Sequence, residues 1–197
     1  VVDYLAFVKE PATNYVVVVT GDLVEEATEE NYAEAADGLS RLRAIGFEVL
    51  CAPGNHDYGT GSFGRRRYVE RFQECFQHPP GGEYPTVAII EGVAFLGVDS
   101  MAAELHWYDA LWSNGEIGPK QRARLKDRLA SAEVEGCSHR VVYLHHHPMH
   151  PRAFHELKDS NKLQGVLSGK IDVLLFGHNH DGYNFNGRWE IPRVYDG

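Results

Sequence analysis

The run YVVVVT, residues 15–20, is the strongest constraint on what this chain can fold into. Branching at Cβ stiffens each valine and disfavours a helix. Unbroken apolarity, without alternation, is expected of a strand buried on both faces of a sheet flanked by helices. The neighbouring segments carry the helical period. Val1, Leu5 and Val8 share one face of residues 1–10, and Pro11 ends that helix. Residues 29–46 read as a helix with Thr28 as N-cap and Gly46 as C-terminal stop. A second strand, FEVLCA, follows at 47–52.

Further along, RRRYVERFQECF predicts a helix with a cationic start. TVAIIEGVAFLGVDS predicts a hairpin turning at Glu91-Gly92. GPKQRARLKDRLASA predicts a helix with Pro119 in its first turn and Leu125 and Leu129 on one face. RVVYLHHH reads as a strand, FHELKDSNKLQGVLSG as a helix and IDVLLFG as a strand. YNFNGRWEIPRVYDG reads as a closing hairpin turning at Asn186-Gly187. Strands alternating with helices, then hairpins, predict an α/β fold: a largely parallel sheet extended by antiparallel strands, with helices outside. At 197 residues the chain suffices for one domain, 1–197, and is too short for two.

In open α/β sheets functional groups collect beyond the carboxyl ends of the strands. Four predicted strand ends carry polar groups there: Gly21-Asp22, Gly54-Asn55-His56-Asp57, His145-His146-His147-Pro148 and Gly177-His178-Asn179-His180. Each alone is an ordinary turn, since Gly, Asp and Asn favour turns for backbone reasons. Four together, each after an apolar run, point to a site. Carboxylate, amide oxygen and imidazole suit Mn, Fe, Zn or Co better than Ca or a thiolate-selected metal.

The net charge of -9 argues against nucleic acid held by surface charge. A bound phosphate would then need positive charge from a metal. No apolar run approaches membrane-spanning length. Cys51, Cys75 and Cys137 form no CxxC pair and suggest reduced thiols in a cytoplasmic protein, although the chain begins without Met and a signal peptide stays open.

GDLVEE, GNHD, HHP and GHNH, in this order between residues 21 and 180, resemble the motifs of the calcineurin-like metallophosphoesterases. The resemblance implies a four-layer α/β/β/α sandwich with mixed central sheets. It implies two divalent or trivalent ions (Mn, Fe or Zn), bridged by an aspartate and by a hydroxide that attacks phosphorus. Matched residue by residue, Asp22 would bridge the two ions. Asn55, His146 and His178 would complete one, and His180 would bind the other. His56 would be catalytic without binding metal. His146 is favoured because it lies two residues before Pro148, and a shift of one makes His145 the ligand. Strand alternation would place His145 and His147 on one side and His146 on the other.

The family's opening Asp-Xaa-His motif has no counterpart, since Asp3 is followed by Tyr4 and Leu5. The expectation is that the first strand is absent from this chain and that the domain is truncated at both ends. GVDS, GEIGPKQRARLKDRLA and LQGVLSGKIDVLLFGHNH resemble the branch containing class III cyclic-nucleotide phosphodiesterases and glycerophosphodiesterases. That branch implies a small phosphodiester substrate. The alternatives are a phosphomonoesterase, including a protein phosphatase, with the same centre, or a non-catalytic scaffold.

Several residues admit two readings. Arg65, Arg66 and Arg67 either steer a phosphate or form a solvated helix start. Trp107, Tyr108 and Trp112 either face substrate or anchor a core. His78, His139, His150 and His155 read as surface residues, with His150 close to the site. His147 lines the pocket or hydrogen-bonds nearby. Asp99 reads as structural, Cys51 as a small hydrophobe, and Asp57 either orients His56 or shapes its turn.

Overall fold

A computed structural model describes residues 2–10, 14–59, 66–77, 82–102, 114–150, 156–180, 182 and 184–197. Arg65, the side chains of Arg66 and Arg67, the aromatic segment 104–112, His78 and His155 lie outside the described parts.

Helix α1 (Val2–Val8) leads into strand β1 (Val16–Val19), helix α2 (Glu29–Ala44) and strand β2 (Glu48–Cys51). The Thr28 hydroxyl accepts the Asn31 N–H and caps α2 as the sequence predicts, and Gly46 ends the turn with φ +86°. β1 and β2 pair in parallel, Val19 opposite Cys51. Helix α3 (Arg66–Cys75) follows.

Strands β3 (Thr86–Ile90) and β4 (Val93–Gly97) make the predicted hairpin. Its two-residue turn has positive φ at both Glu91 (49°) and Gly92 (75°), as a type I′ turn requires. Helices α4 (Pro119–Leu129) and α5 (Ala132–Glu135) lead to β5 (His139–Tyr143). Helix α6 (Ser160–Leu167), β6 (Val173–Phe176) and β7 (Arg193–Asp196) complete the chain.

The strands form two sheets, as the four-layer sandwich implied by the resemblance requires: β1-β2, and a five-stranded sheet ordered β3-β4-β5-β6-β7. β4 to β7 run parallel, so Gly97, Tyr143 and Leu175 lie side by side at their carboxyl ends.

Side-chain alternation builds four layers. Val17, Val19, Val49 and Cys51 pack with Tyr32, Leu39, Leu42, Phe72 and Phe76 of α2 and α3. Val16, Val18, Leu50 and Ala52 face the other sheet, meeting Phe95, Tyr143 and Leu175. The far side of that sheet, with Leu96, Val142, Leu174 and Phe176, packs on Leu125, Leu129, Leu163 and Leu167 of α4 and α6. The order is helix, sheet, sheet, helix. Each fully buried leucine contributes about 2 kcal/mol, so the two helical layers clamp both sheets firmly.

The structure also refines several sequence expectations. β1 packs on both faces, as the valine run predicts, but its residues are only half-buried, because only β2 pairs with it among the described residues. β5 stops at Tyr143, so the three histidines that follow are not on extended strand. The closing segment is not a simple hairpin. Residues Arg188–Glu190 form a 3-10 turn, β7 joins β6 in parallel, and antiparallel pairing is limited to a bridge between Asn184 and Tyr195. The helix expected from residue 154 is seen from Ser160, where Asp159 stands as N-cap.

Candidate metal centre

Asp22 and His178 are not on opposite faces of the sheets; both lie beside the His145 ring. His145 Nδ1 is 2.8 Å from the Thr20 carbonyl oxygen. A carbonyl can only accept, so Nδ1–H donates and Nε2 presents a lone pair. Around Nε2 stand Asn55 Oδ1 at 3.0 Å, His178 Nδ1 at 3.0 Å and Asp22 Oδ2 at 3.2 Å. His145 is buried, as is Asn55. An amide oxygen, a carboxylate and two imidazole nitrogens directed at one point repel one another unless a cation or proton lies between them. This donor set therefore fits a divalent metal. The rings of His145, His146 and His178 offer nitrogen atoms that all lie within 4.8 Å of one another.

The loops are built for this convergence. The Gly177 N–H donates to the His145 carbonyl at 3.0 Å, locking the β5 and β6 ends together. A Cβ on Gly54 would lie 2.2 Å from Asp22 Oδ1, so glycine lets the second loop close on the first. Asp22, His178 and His180 all have positive φ, which costs a non-glycine residue energy and is common where function dictates geometry. Asp57 is fully buried, and its carboxylate accepts N–H bonds from Val24 at 3.1 Å and Gly54 at 2.8 Å. It thereby stitches the Asp22 loop to the Asn55 loop, and does not orient the His56 ring. Burial pushes the Asp57 carboxyl up to about 7. Burial also raises Asp22, but when a proton in place of a metal sits on His145 Nε2, the hydrogen bond and charge of that ring, with the His56 N–H, outweigh burial and hold Asp22 below the usual range.

His56 is half-buried. Its backbone N–H donates to Asp22 Oδ1 at 3.0 Å, and its Nδ1–H donates to the Glu25 carbonyl at 2.8 Å. Its ring is therefore fixed without using Nε2. A cavity of about 330 Å³ opens beside it, lined by Glu25, Thr28 and Tyr68 among others.

The sequence reading favoured His146 over His145 for the metal. The structure brings both to the cluster, because the chain bends once β5 ends. His145 Nε2 makes the contacts to Asp22, Asn55 and His178, and strand alternation does not apply. His146 lies 2.8 Å through Nδ1 from Ser100 Oγ, a residue the sequence marked only as the end of a strand. His180 is exposed and is not part of the three-histidine cluster. His147 points into the core: its Nδ1 accepts the Met149 N–H at 3.1 Å, its ring packs on Phe176 and Phe185, and Nε2 is 3.9 Å from Asp196. His150 is half-buried with its ring centre 5.0 Å from that of His147, and His139 is exposed. Asp99 is buried and accepts from Tyr58 and from the Met101 N–H. Cys51 is packed in the core, where burial pushes its thiol up to about 12.

The chain is 27% identical over 180 residues to a 3',5'-cyclic adenosine monophosphate phosphodiesterase of Escherichia coli K12, covering 87% of this chain and 57% of the relative. It is 24% identical over 185 residues to the protein of the same name from Haemophilus influenzae, covering 91% and 58%. The chain thus spans a little over half the length of these relatives. A purple acid phosphatase from yellow lupin seeds shares the fold, with a TM-score of 0.67 at 20% identity, over 93% of this chain and 33% of that one. Residues 1–182 match the family model of the calcineurin-like phosphoesterases, and the chain belongs to that family.

Proposed function

We infer that this chain carries the metal centre of a phosphodiesterase acting on a small phosphate diester. The observation that carries this reading is the gathering of Asp22 Oδ2, Asn55 Oδ1 and His178 Nδ1 within 3.2 Å of His145 Nε2. Relatives named as cyclic-AMP phosphodiesterases support the diester preference.

In this reading Asp22, Asn55, His145, His146 and His178 would hold one ion, and Asp22 and His180 would serve a second. Manganese, iron and zinc all suit this nitrogen and oxygen set. When bound, such a pair polarises the phosphoryl group and lowers the pKa of coordinated water. The protein's own contribution is positional. Asp22 is held ionised, so it arrives ready to bind a cation. The Thr20 carbonyl fixes the His145 tautomer, and Asp57 keeps two ligand loops at a fixed distance. The Glu25 carbonyl holds His56 Nδ1–H, which leaves Nε2 to take up the second proton of the imidazolium and hand it to the departing oxygen. The cavity beside His56 gives the leaving group room.

The test is turnover by manganese-loaded protein of bis(p-nitrophenyl) phosphate, p-nitrophenyl phosphate and 3',5'-cyclic AMP. Faster cleavage of the diesters is expected. Faster cleavage of the monoester would make the protein a phosphomonoesterase. No cleavage of any of the three by protein with bound manganese would make it a scaffold.

A further inference from the structure

His146 is held by a bracket from the end of β4. Ser100 is fully buried, and its Oγ lies 2.8 Å from His146 Nδ1 and accepts the His146 backbone N–H at 3.2 Å. The Glu116 N–H donates to the Ser100 carbonyl at 2.8 Å, which brings Gly115 against the same ring. A Cβ on Gly115 would lie 2.5 Å from His146 Cγ and Nδ1, and its backbone has φ +71°. The ring is thus gripped at its edge by a hydroxyl and at its side by bare backbone.

We propose that Ser100 is a positioning residue for the metal centre: it accepts the Nδ1–H of His146 and so leaves Nε2 as the nitrogen turned to the ion. This rests on the metal reading above. The geometry supports it in two ways. A serine oxygen has two lone pairs, enough to accept both His146 N–H groups at once. Nε2 is the ring's other nitrogen, and the His146 ring stands in the three-histidine cluster, its centre 4.8 and 4.6 Å from those of His145 and His178. A metal-binding imidazole commonly donates its other N–H to an oxygen that fixes its tautomer and raises its basicity. His145 already uses a backbone carbonyl in this way through Thr20; Ser100 gives His146 the side-chain equivalent.

Nitrogen-15 spectroscopy of the metal-free, full-length wild type tests this without a variant. The neutral His146 ring should carry its proton on Nδ1. A proton on Nε2 would overturn the proposal, because Ser100 would then donate to the ring. Titration with Zn²⁺ adds the second readout. Ser100→Ala should bind Zn²⁺ about 10–100-fold more weakly, with the His146 tautomer mixed and the His145 tautomer unchanged. A purely structural role for Ser100 would lower the melting temperature and leave the tautomer alone. Wild type that binds Zn²⁺ tightly, beside a folded Ser100→Ala that binds it equally well, overturns this proposal alone. Wild type that binds no Zn²⁺ overturns the metal reading as well.

Discussion

Asp22 and His145 come from different sheets, yet Oδ2 of one and Nε2 of the other stand 3.2 Å apart. The contact joins the carboxyl ends of β1 and β5 across the gap between the sheets. His145 is expected to dominate metal affinity because three donor atoms surround its Nε2. His145→Ala should weaken Mn²⁺ or Zn²⁺ binding by more than about 100-fold, beyond the usual cost of losing an outer partner of a ligand. His146→Ala should weaken it less. Calorimetric titration of both variants checks the order. Retained affinity in His145→Ala with loss in His146→Ala would restore the register inferred from Pro148.

His56→Ala should keep its metal and lose turnover. The bond from residue 56 to Asp22 uses the backbone N–H, which alanine retains. A general acid is typically worth about 10²–10⁴-fold in rate. Elemental analysis and kcat on a diester separate the two effects. Loss of bound metal on this substitution would mean the imidazole itself coordinates.

The fold was legible wherever local chemistry spoke clearly. Thr28, Gly46, Glu91-Gly92 and Pro119 mark boundaries by capping and turn geometry, and the structure puts boundaries there. The loop residues of the site were legible as strand ends. Which histidine of three would face Asp22 was not, because the reading extended β5 through His147. Whether a strand stops at residue 143 depends on its neighbours: Leu144 still bonds to Leu175, and His145 is then pulled toward Thr20. Ser100 was legible only as the last residue of GVDS, since its importance is its distance from a residue 46 positions away. The split into two sheets was implied by the motif resemblance and not by the residue pattern. A run of four valines looks the same whether one sheet or two will cover it.

Asp99 should make stability depend on pH. Burial pushes its carboxyl up to about 6, against a usual value of 3.8, while the Met101 N–H and the Tyr58 hydroxyl work in the opposite direction. The folded protein therefore holds this proton at pH values where the unfolded chain has released it. The stabilisation is complete below about pH 4 and is lost as pH rises through about 6. At about 1.4 kcal/mol per unit, the difference corresponds to about 3 kcal/mol. Urea denaturation of metal-free wild type and Asp99→Asn across pH 4–7 reads it. The wild type should lose stability relative to the variant over this range. Parallel curves would show that Asp99 ionises at an ordinary pH.

Gly54 and Gly38 should respond in opposite directions to alanine. Gly38 lies inside α2 with nothing within 4 Å of an added Cβ, so alanine meets no obstacle and spares backbone entropy. Gly38→Ala should stabilise the protein by about 0.5–1 kcal/mol without changing metal affinity. At Gly54 the added carbon would lie 2.2 Å from Asp22 Oδ1 and 2.5 Å from the Asp22 backbone nitrogen. Backbone cannot swing aside as a flexible side chain does, so the two loops must part. Parting them would strain the Val24 N–H bond to Asp57 and the His56 N–H bond to Asp22, now 3.1 and 3.0 Å. Both bonds hold ligand loops. Gly54→Ala should therefore lose metal affinity and turnover together, and it should do so even where circular dichroism still reports a folded chain. Thermal melts with and without Zn²⁺ make the comparison direct: the ion should raise the melting temperature of wild type and Gly38→Ala, and leave that of Gly54→Ala nearly unmoved. Equal shifts in all three would mean that Asp22 does not need this close approach to bind the ion.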